Sequence, residues 1–224
     1  MFIADDGDNG MHTQTAEAGA ELVRKKNPDF VVNKVYLDAY QQEVSASGES
    51  YPLAKNRIEN LLNTGMLFLD YSGHGGYNAI TNEGIMDLHS IQSLTNPNRG
   101  FWLFATCSFA HFDSGKRCAA EEAVLNPNGG AIGVFSACRT VYATQNTILN
   151  RNVCDTLFGH KDPFSYNMTL GQSCRIGKIR TGVGDENKMP YVLLADPAMR
   201  MAYPTELNVI TTECSDTVRA LTTH

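Results

Sequence analysis

The chain has 224 residues, a formal net charge of −6, a pI near 5.5 and no run of Lys or Arg longer than the three at Arg24, Lys25 and Lys26. These values argue against a nucleic-acid or anionic-membrane surface. With 42% hydrophobic residues, a mean hydropathy of −0.25 and no apolar stretch approaching the roughly 20 residues a membrane span needs, the chain reads as globular.

In chain order, strand and helix alternate. "MFIAD" (1–5) is an apolar strand. Residues 14–25 carry helix formers, with Ala16, Ala20, Leu22 and Val23 on one side. "FVVNKVYLD" (30–38) is β-branched and strand-like, and a polar loop leads to a helix over 55–63. "GMLFLDYS" (65–72) is a buried strand and 84–94 a short helix. "GFWLFATC" (100–107) is again a buried strand, followed by a helix over 117–125 that "NPNGG" stops. "AIGVFSA" (131–137) is a strand, helices follow near 145–158 and 165–178, and "YVLLADP" (191–197) ends the core. Short, fully apolar strands separated by helices predict an α/β fold of three layers with a mostly parallel sheet covered on both faces. The domain is expected over 1–203. Residues 204–224 lack helical periodicity and are expected to be a linker or the start of a following β module. The chain opens directly on a strand, which predicts a piece of a longer protein. The missing leader therefore carries no information about compartment.

The six cysteines (Cys107, Cys118, Cys138, Cys154, Cys174 and Cys214) form no CxxC pair, so a zinc ribbon or thioredoxin motif is not available. Their even count permits disulfides without requiring them.

Sites in open parallel sheets sit beyond the carboxyl ends of strands. "DDGDNG" follows the first strand, "GHGG" the third, "TCSFAHFD" the fourth and "CRTVYATQN" the fifth. Asp5, Asp6, Asp8, His74, Cys107, His111, Asp113, Cys138 and Arg139 are thereby expected at one sheet edge. A histidine and a cysteine ending neighbouring strands suit a thiol nucleophile with its base. The glycines around His74 are expected to let the backbone turn off the strand and to admit a substrate. The amides of Gly75 and Cys107 would then form an oxyanion hole. Taken singly, His74 also reads as a turn histidine and Cys107 as a buried strand-end thiol.

Other motifs fail. "GHGGYN" is not GxGxxG, and neither a phosphate-loop lysine nor a GxSxG elbow is present. A calcium loop opening at Asp5 has Ala16 where its bidentate glutamate should stand. Cys107 and His111 make half a zinc site with no second pair.

"YSGHGG" followed by "LFATCSFAHFD" resembles the gingipain family of cysteine peptidases, which belong to the caspase-like clan. "AAEEAVLNPNGGAIGVFSACRTVYAT" and "LLADPAMRM" extend the resemblance over about 1–203. Within the family, "ADDGDN", "LNPNGGAIGVFS" and "RTVYAT" are most similar to the sortase-like peptidases of the type IX secretion system. The resemblance implies a caspase-like fold with Cys107 as nucleophile and His74 as base. It also implies the Gly75 and Cys107 amides as oxyanion donors, and an acid after the first strand, Asp5 or next Asp6, that orients the histidine. Cys138, with Arg139, Thr140 and Tyr142, is placed near the specificity pocket. His111 and Asp113 are expected to structure their loop. Thr13 stands where Arg-specific members carry a pocket-floor aspartate, so no strong Arg preference is expected. No cofactor is implied as required, although structural calcium occurs in the family. The implied partners are C-terminal sorting domains of secreted cargo, a lipopolysaccharide amine as acceptor, and other secretion components. The implied location is the outer-membrane surface of a Gram-negative bacterium. The rival expectations are an inactive peptidase-like scaffold, a peptidase of the same clan with another substrate and, more distantly, a metal enzyme.

Overall fold

The computed structural model describes residues 1–46, 48–159, 168–182 and 184–204. In chain order its elements are β1 (Phe2–Ala4), α1 (Met11–Lys26), β2 (Lys34–Tyr36), β3 (Glu43–Ser45), β4 (Gly48–Ser50) and α2 (Pro52–Thr64). Then come β5 (Phe68–Ser72), β6 (Ala79–Ile80), β7 (Met86–Asp87), α3 (Leu88–Gln92), β8 (Gly100–Ala105), α4 (Ala119–Leu125) and β9 (Ala131–Ala137). α5 (Ala143–Phe158), α6 (Leu170–Arg180) and β10 (Tyr191–Leu194) complete the set.

Six strands form the central sheet in the order β10-β9-β8-β5-β1-β2, parallel except for β10, which runs antiparallel to β9. The α/β, mostly parallel architecture is as the sequence predicts. Alternation along the strands assigns the two faces. Phe2, Ala4, Phe68, Phe101 and Leu103 pack with α1, α5 and α6 through Ala16, Ala20, Val23, Leu149, Val153, Cys154, Leu170 and Cys174. Ile3, Leu69, Tyr71, Trp102 and Phe104 pack with α2, α3 and α4 through Ala54, Ile58, Leu62, Ile91 and Ala120. Both faces being covered, most strand positions are apolar, and the strands read as near-continuous apolar runs.

Several elements depart from expectation for local reasons. β2 keeps only three residues of the predicted 30–38, because its partner β1 is itself three residues long, and Val31 is left 86% exposed. α1 starts at Met11, behind a left-handed Gly10. α2 starts at Pro52, a residue suited to the first helical position. Within the predicted 84–94 helix, residues 86–87 pair as a strand, and Asp87 then caps α3 in a box with Ser90. α6 begins at Leu170 behind a Thr169 cap. The predicted segment 165–167 and the expected terminal module beyond 204 lie outside the described residues. Cys107, Cys118, Cys138, Cys154 and Cys174 are free thiols.

Two features of the core give measurable outcomes. Asp70 is fully buried on β5, where Asn150 donates to it at 2.6 Å, and burial pushes its carboxyl up to about 7. The folded state therefore holds a proton that the unfolded chain releases near pH 4, so stability falls as pH rises across that window and levels above 7. Asp70→Asn flattens this fall in chemical-denaturation curves taken between pH 4 and 8. Trp102 stacks on Phe104 with centroids 5.6 Å apart, yet its indole N–H has no acceptor among the described residues. Trp102→Phe therefore costs under about 1.5 kcal/mol, against about 3–5 kcal/mol for Phe104→Ala.

Candidate active site

The chain steps from β1 outward to β2, then returns past β1 to β5, so the topological switch point lies between β1 and β5. Crevices at such points bind ligands at the carboxyl ends of the strands. β5 and β8 are parallel neighbours in a register that pairs Ser72 with Ala105. His74 and Cys107 each stand two residues past that pair.

The His74 backbone is held from three directions. Its amide donates to Asp5 Oδ2 at 2.8 Å, and its carbonyl accepts from the Tyr71 hydroxyl at 2.6 Å and from the Thr81 amide at 3.0 Å. Asp5 is buried. Desolvation pushes its carboxyl up to about 6, and the hydrogen bond from the His74 amide opposes that shift. The His74 ring has a different partner. Its Nε2 lies 2.7 Å from Asp8 Oδ2, which also stands 3.0 Å from His12 Nε2. The expectation that Asp5, or Asp6 after it, orients the imidazole is thus corrected: Asp5 fixes the main chain, Asp6 accepts from the Tyr51 hydroxyl at 2.8 Å, and Asp8 takes the ring. The reason is the backbone at Asp8 and Asn9, whose φ values of 44° and 54° turn the loop back toward His74. The two imidazole bonds hold the Asp8 carboxyl below its usual range, His74 contributing most. An ionised carboxylate only accepts, so both rings carry their proton on Nε2. His74 Nδ1 has no hydrogen-bond partner among the described residues. His12 is buried, and burial lowers its pKa against the pull of Asp8. The sequence does not mark His12, because helix formers are legible only from residue 14. The i, i+4 spacing from Asp8 was the available signal.

Cys107 is half-buried. Its thiol donates to the Val141 carbonyl at 3.4 Å, and the Val141 amide approaches the sulfur at 3.5 Å. Ser108, immediately after it, takes a left-handed φ of 54° and donates its amide to the Arg139 carbonyl at 3.1 Å. Arg139 in turn forms a bidentate pair with Asp113 at 2.8 and 2.5 Å, which holds the Asp113 carboxyl down at about 2. His111 lies 3.6 Å from the same carboxylate. Arg139 is therefore engaged in tying the loop after β8 to the loop after β9. Cys138 is half-buried, with its amide bonded to Pro190, while Thr140 and Tyr142 are exposed. Tyr142 lines a groove with Gln145, Glu186 and Asn187. Thr13 donates to Asp38 at 2.9 Å.

The amides of Gly75 and Cys107 have no acceptor among the described residues. A Cβ on Gly75 would stand 2.6 Å from Thr106 Oγ1, so the two loops touch beside the thiol. None of Gly73, Gly75 and Gly76 takes a positive φ. The turn itself does not demand glycine there; close packing does at two of the three positions.

Among the described residues, no group of three possible metal ligands includes Cys107. Asp5, Asp6 and Glu83 bring one carboxylate oxygen each within 4.8 Å. Two of these carboxylates already serve His74 and Tyr51.

The pattern of "Peptidase family C25" matches residues 1–202. No curated protein matches the chain. Among solved structures, the crystal structure of the Arg-specific cysteine proteinase gingipain R (RgpB) is similar, with TM-score 0.70 and 17% identity, over 89% of this chain and 46% of that one. The complex of the pro- and mature domains of Porphyromonas gingivalis RgpB is similar with TM-score 0.71 and 17% identity, over 89% of this chain and 47% of that one. The chain thus has the caspase-like fold of the gingipain structures and spans just under half their length.

Within "GHGG", a Cβ on Gly73 would collide with the Tyr71 hydroxyl and Asp5 Cβ, whereas one on Gly76 meets nothing nearer than Asn78 Oδ1 at 4.0 Å. Gly73→Ala is expected to lower unfolding free energy by about 1–3 kcal/mol and Gly76→Ala by under about 0.5 kcal/mol, measured by urea denaturation.

Proposed function

The chain belongs to peptidase family C25, and from that premise we propose that it is a cysteine peptidase with Cys107 as nucleophile and His74 as general base and acid. The observation that carries this reading is the Ser72–Ala105 register, which sets the two residues at matching points beyond adjacent strands. Strands in such a pair run about 4.8 Å apart, a separation that side chains span.

In the proposed reaction His74 Nδ1 takes the thiol proton while Asp8 holds Nε2–H. The thiolate attacks the scissile carbonyl carbon, and the carbonyl π pair moves onto oxygen. The amides of Gly75 and Cys107 donate to that oxyanion, both being free to do so. As the intermediate collapses, the C–N bond breaks and His74 delivers its proton to the departing amine, leaving a thioester on Cys107. Water or an incoming amine then attacks the thioester and the thiol re-forms. The loop 138–142, which meets the sulfur at Val141, walls the cleft, with Cys138, Thr140 and Tyr142 toward substrate. Arg139 serves that wall through Asp113.

The finer assignment is a PorU-like sortase of the type IX secretion system, supported by "ADDGDN", "LNPNGGAIGVFS" and "RTVYAT". It would cut C-terminal sorting domains and pass the acyl group to a lipopolysaccharide amine or to water, at the outer-membrane surface. Among the described residues no helix is long and apolar enough to cross a membrane.

Cys107→Ala is expected to lower kcat/KM on a sorting-domain substrate by at least about 10⁴-fold, with a comparable loss for His74→Ala. Undiminished cleavage by Cys107→Ala would overturn the assignment. Cleavage of unrelated peptides, with sorting domains left intact, would keep the peptidase and remove the sortase.

A further inference from the structure

The geometry points to a divalent transition-metal site formed by Asp8 Oδ2, His12 Nε2 and His74 Nε2, with zinc as the fitting ion. The three donor atoms lie within 4.8 Å of one another, two of the separations being 2.7 and 3.0 Å. Zinc at about 2.0–2.2 Å from each ligand needs donors roughly 3.3 Å apart, so an opening of a few tenths of an ångström converts a shared hydrogen-bond acceptor into a coordination site. The rings stand at 81° with centroids 5.3 Å apart, an edge-to-face arrangement that leaves both Nε2 atoms free to converge on Asp8. Two imidazoles and one carboxylate suit zinc, cobalt or nickel, and not the hard oxygen-seeking ions.

The ligands differ usefully in exposure. His12 is 5% exposed and fixed in the first turn of α1, which makes it a rigid anchor. The side chains of His74 and Asp8 are 55% and 43% exposed, so an ion enters from solvent and water fills its remaining positions.

Occupancy has a chemical consequence, and this part rests on the reading of His74 as base. An imidazole that binds metal through Nε2 stays neutral by carrying its proton on Nδ1. The proton that Nε2 donated to Asp8 thus moves, through water, to the nitrogen that must accept from the thiol. Metal binding and thiol deprotonation exclude one another, and zinc is a reversible inhibitor that leaves Cys107 unligated.

The test uses the untagged chain carrying Cys107→Ala, titrated with Zn²⁺ by calorimetry and with Co²⁺ by absorption. One ion per chain is expected, with no thiolate-to-cobalt charge-transfer band in either this variant or the wild type. His12→Gln is expected to weaken binding at least tenfold. Asp8→Asn, at an exposed side chain, gives the same reading should the buried substitution fail to fold. Absence of binding in the Cys107→Ala chain, or affinity unchanged by both ligand variants, overturns the site. So does a charge-transfer band that disappears with Cys107. In the wild type, zinc is expected to suppress cleavage and a chelator to restore it. An inactive wild type that still binds through His12 and Asp8 would sink the peptidase reading and keep the metal site.

Discussion

The register of β5 against β8 is the constraint on which the rest depends. Both strands are buried on both faces, and their large apolar side chains divide between two cores. A slip of one residue would send Leu69 and Tyr71 to the α1/α5 side and Phe68 and Asp70 to the α2 side, exchanging two sets that differ in size and polarity. The hydrophobic core therefore fixes the level at which the strands end. The matching positions of His74 and Cys107 follow from that level, and the loops that carry them need only short reach.

Beyond the strand ends, polar groups divide the placement of one histidine. Asp5 lies directly on the end of β1, next to β5, with its Cβ against Gly73, too close to the main chain to reach around to the imidazole. It binds the amide instead. Three residues later the left-handed Asp8 points back and meets the ring. The buried carboxylate thus sets where the residue sits and the exposed one sets how its ring faces. This separation leaves the ring free to exchange partners with solvent species while its backbone stays fixed.

Much of this was legible in the sequence, and the failures have physical reasons. β9 reads correctly from 131 to 137 and β8 nearly so, because strands buried on both sides leave uninterrupted apolar runs. The residues beyond those runs are therefore placed correctly at the sheet edge. "FVV" at 30–32 carries the same signal and is not strand, since a ladder is only as long as its partner and β1 stops at Phe2–Ala4. The roles of Asp5 and Asp8 depend on two left-handed residues that are not glycine, Asp8 and Asn9, of types that tolerate that conformation without requiring it. His12 looked like loop because α1 opens without a side-chain cap, on a left-handed glycine. Val141 against the thiol is a contact between loops after different strands, which no local pattern records.

The same architecture says where selectivity can reside. The loops after β8 and β9 are bound together by Ser108 to Arg139, Arg139 to Asp113, Ala110 to Ala137 and Val141 to Cys107. A unit so tied positions the sulfur but has little freedom to adapt to a side chain. On the proposed reading, the rim outside that unit consists of the exposed Thr140 and Tyr142 on one side and, on the other, the half-buried Thr13 with its exposed partner Asp38. Asp38 arrives at Thr13 from another element and accepts from its hydroxyl. On the proposed peptidase reading, changes at these residues are expected to alter what the cleft accepts with little effect on Cys107 or His74, because none of their side chains hydrogen-bonds to either.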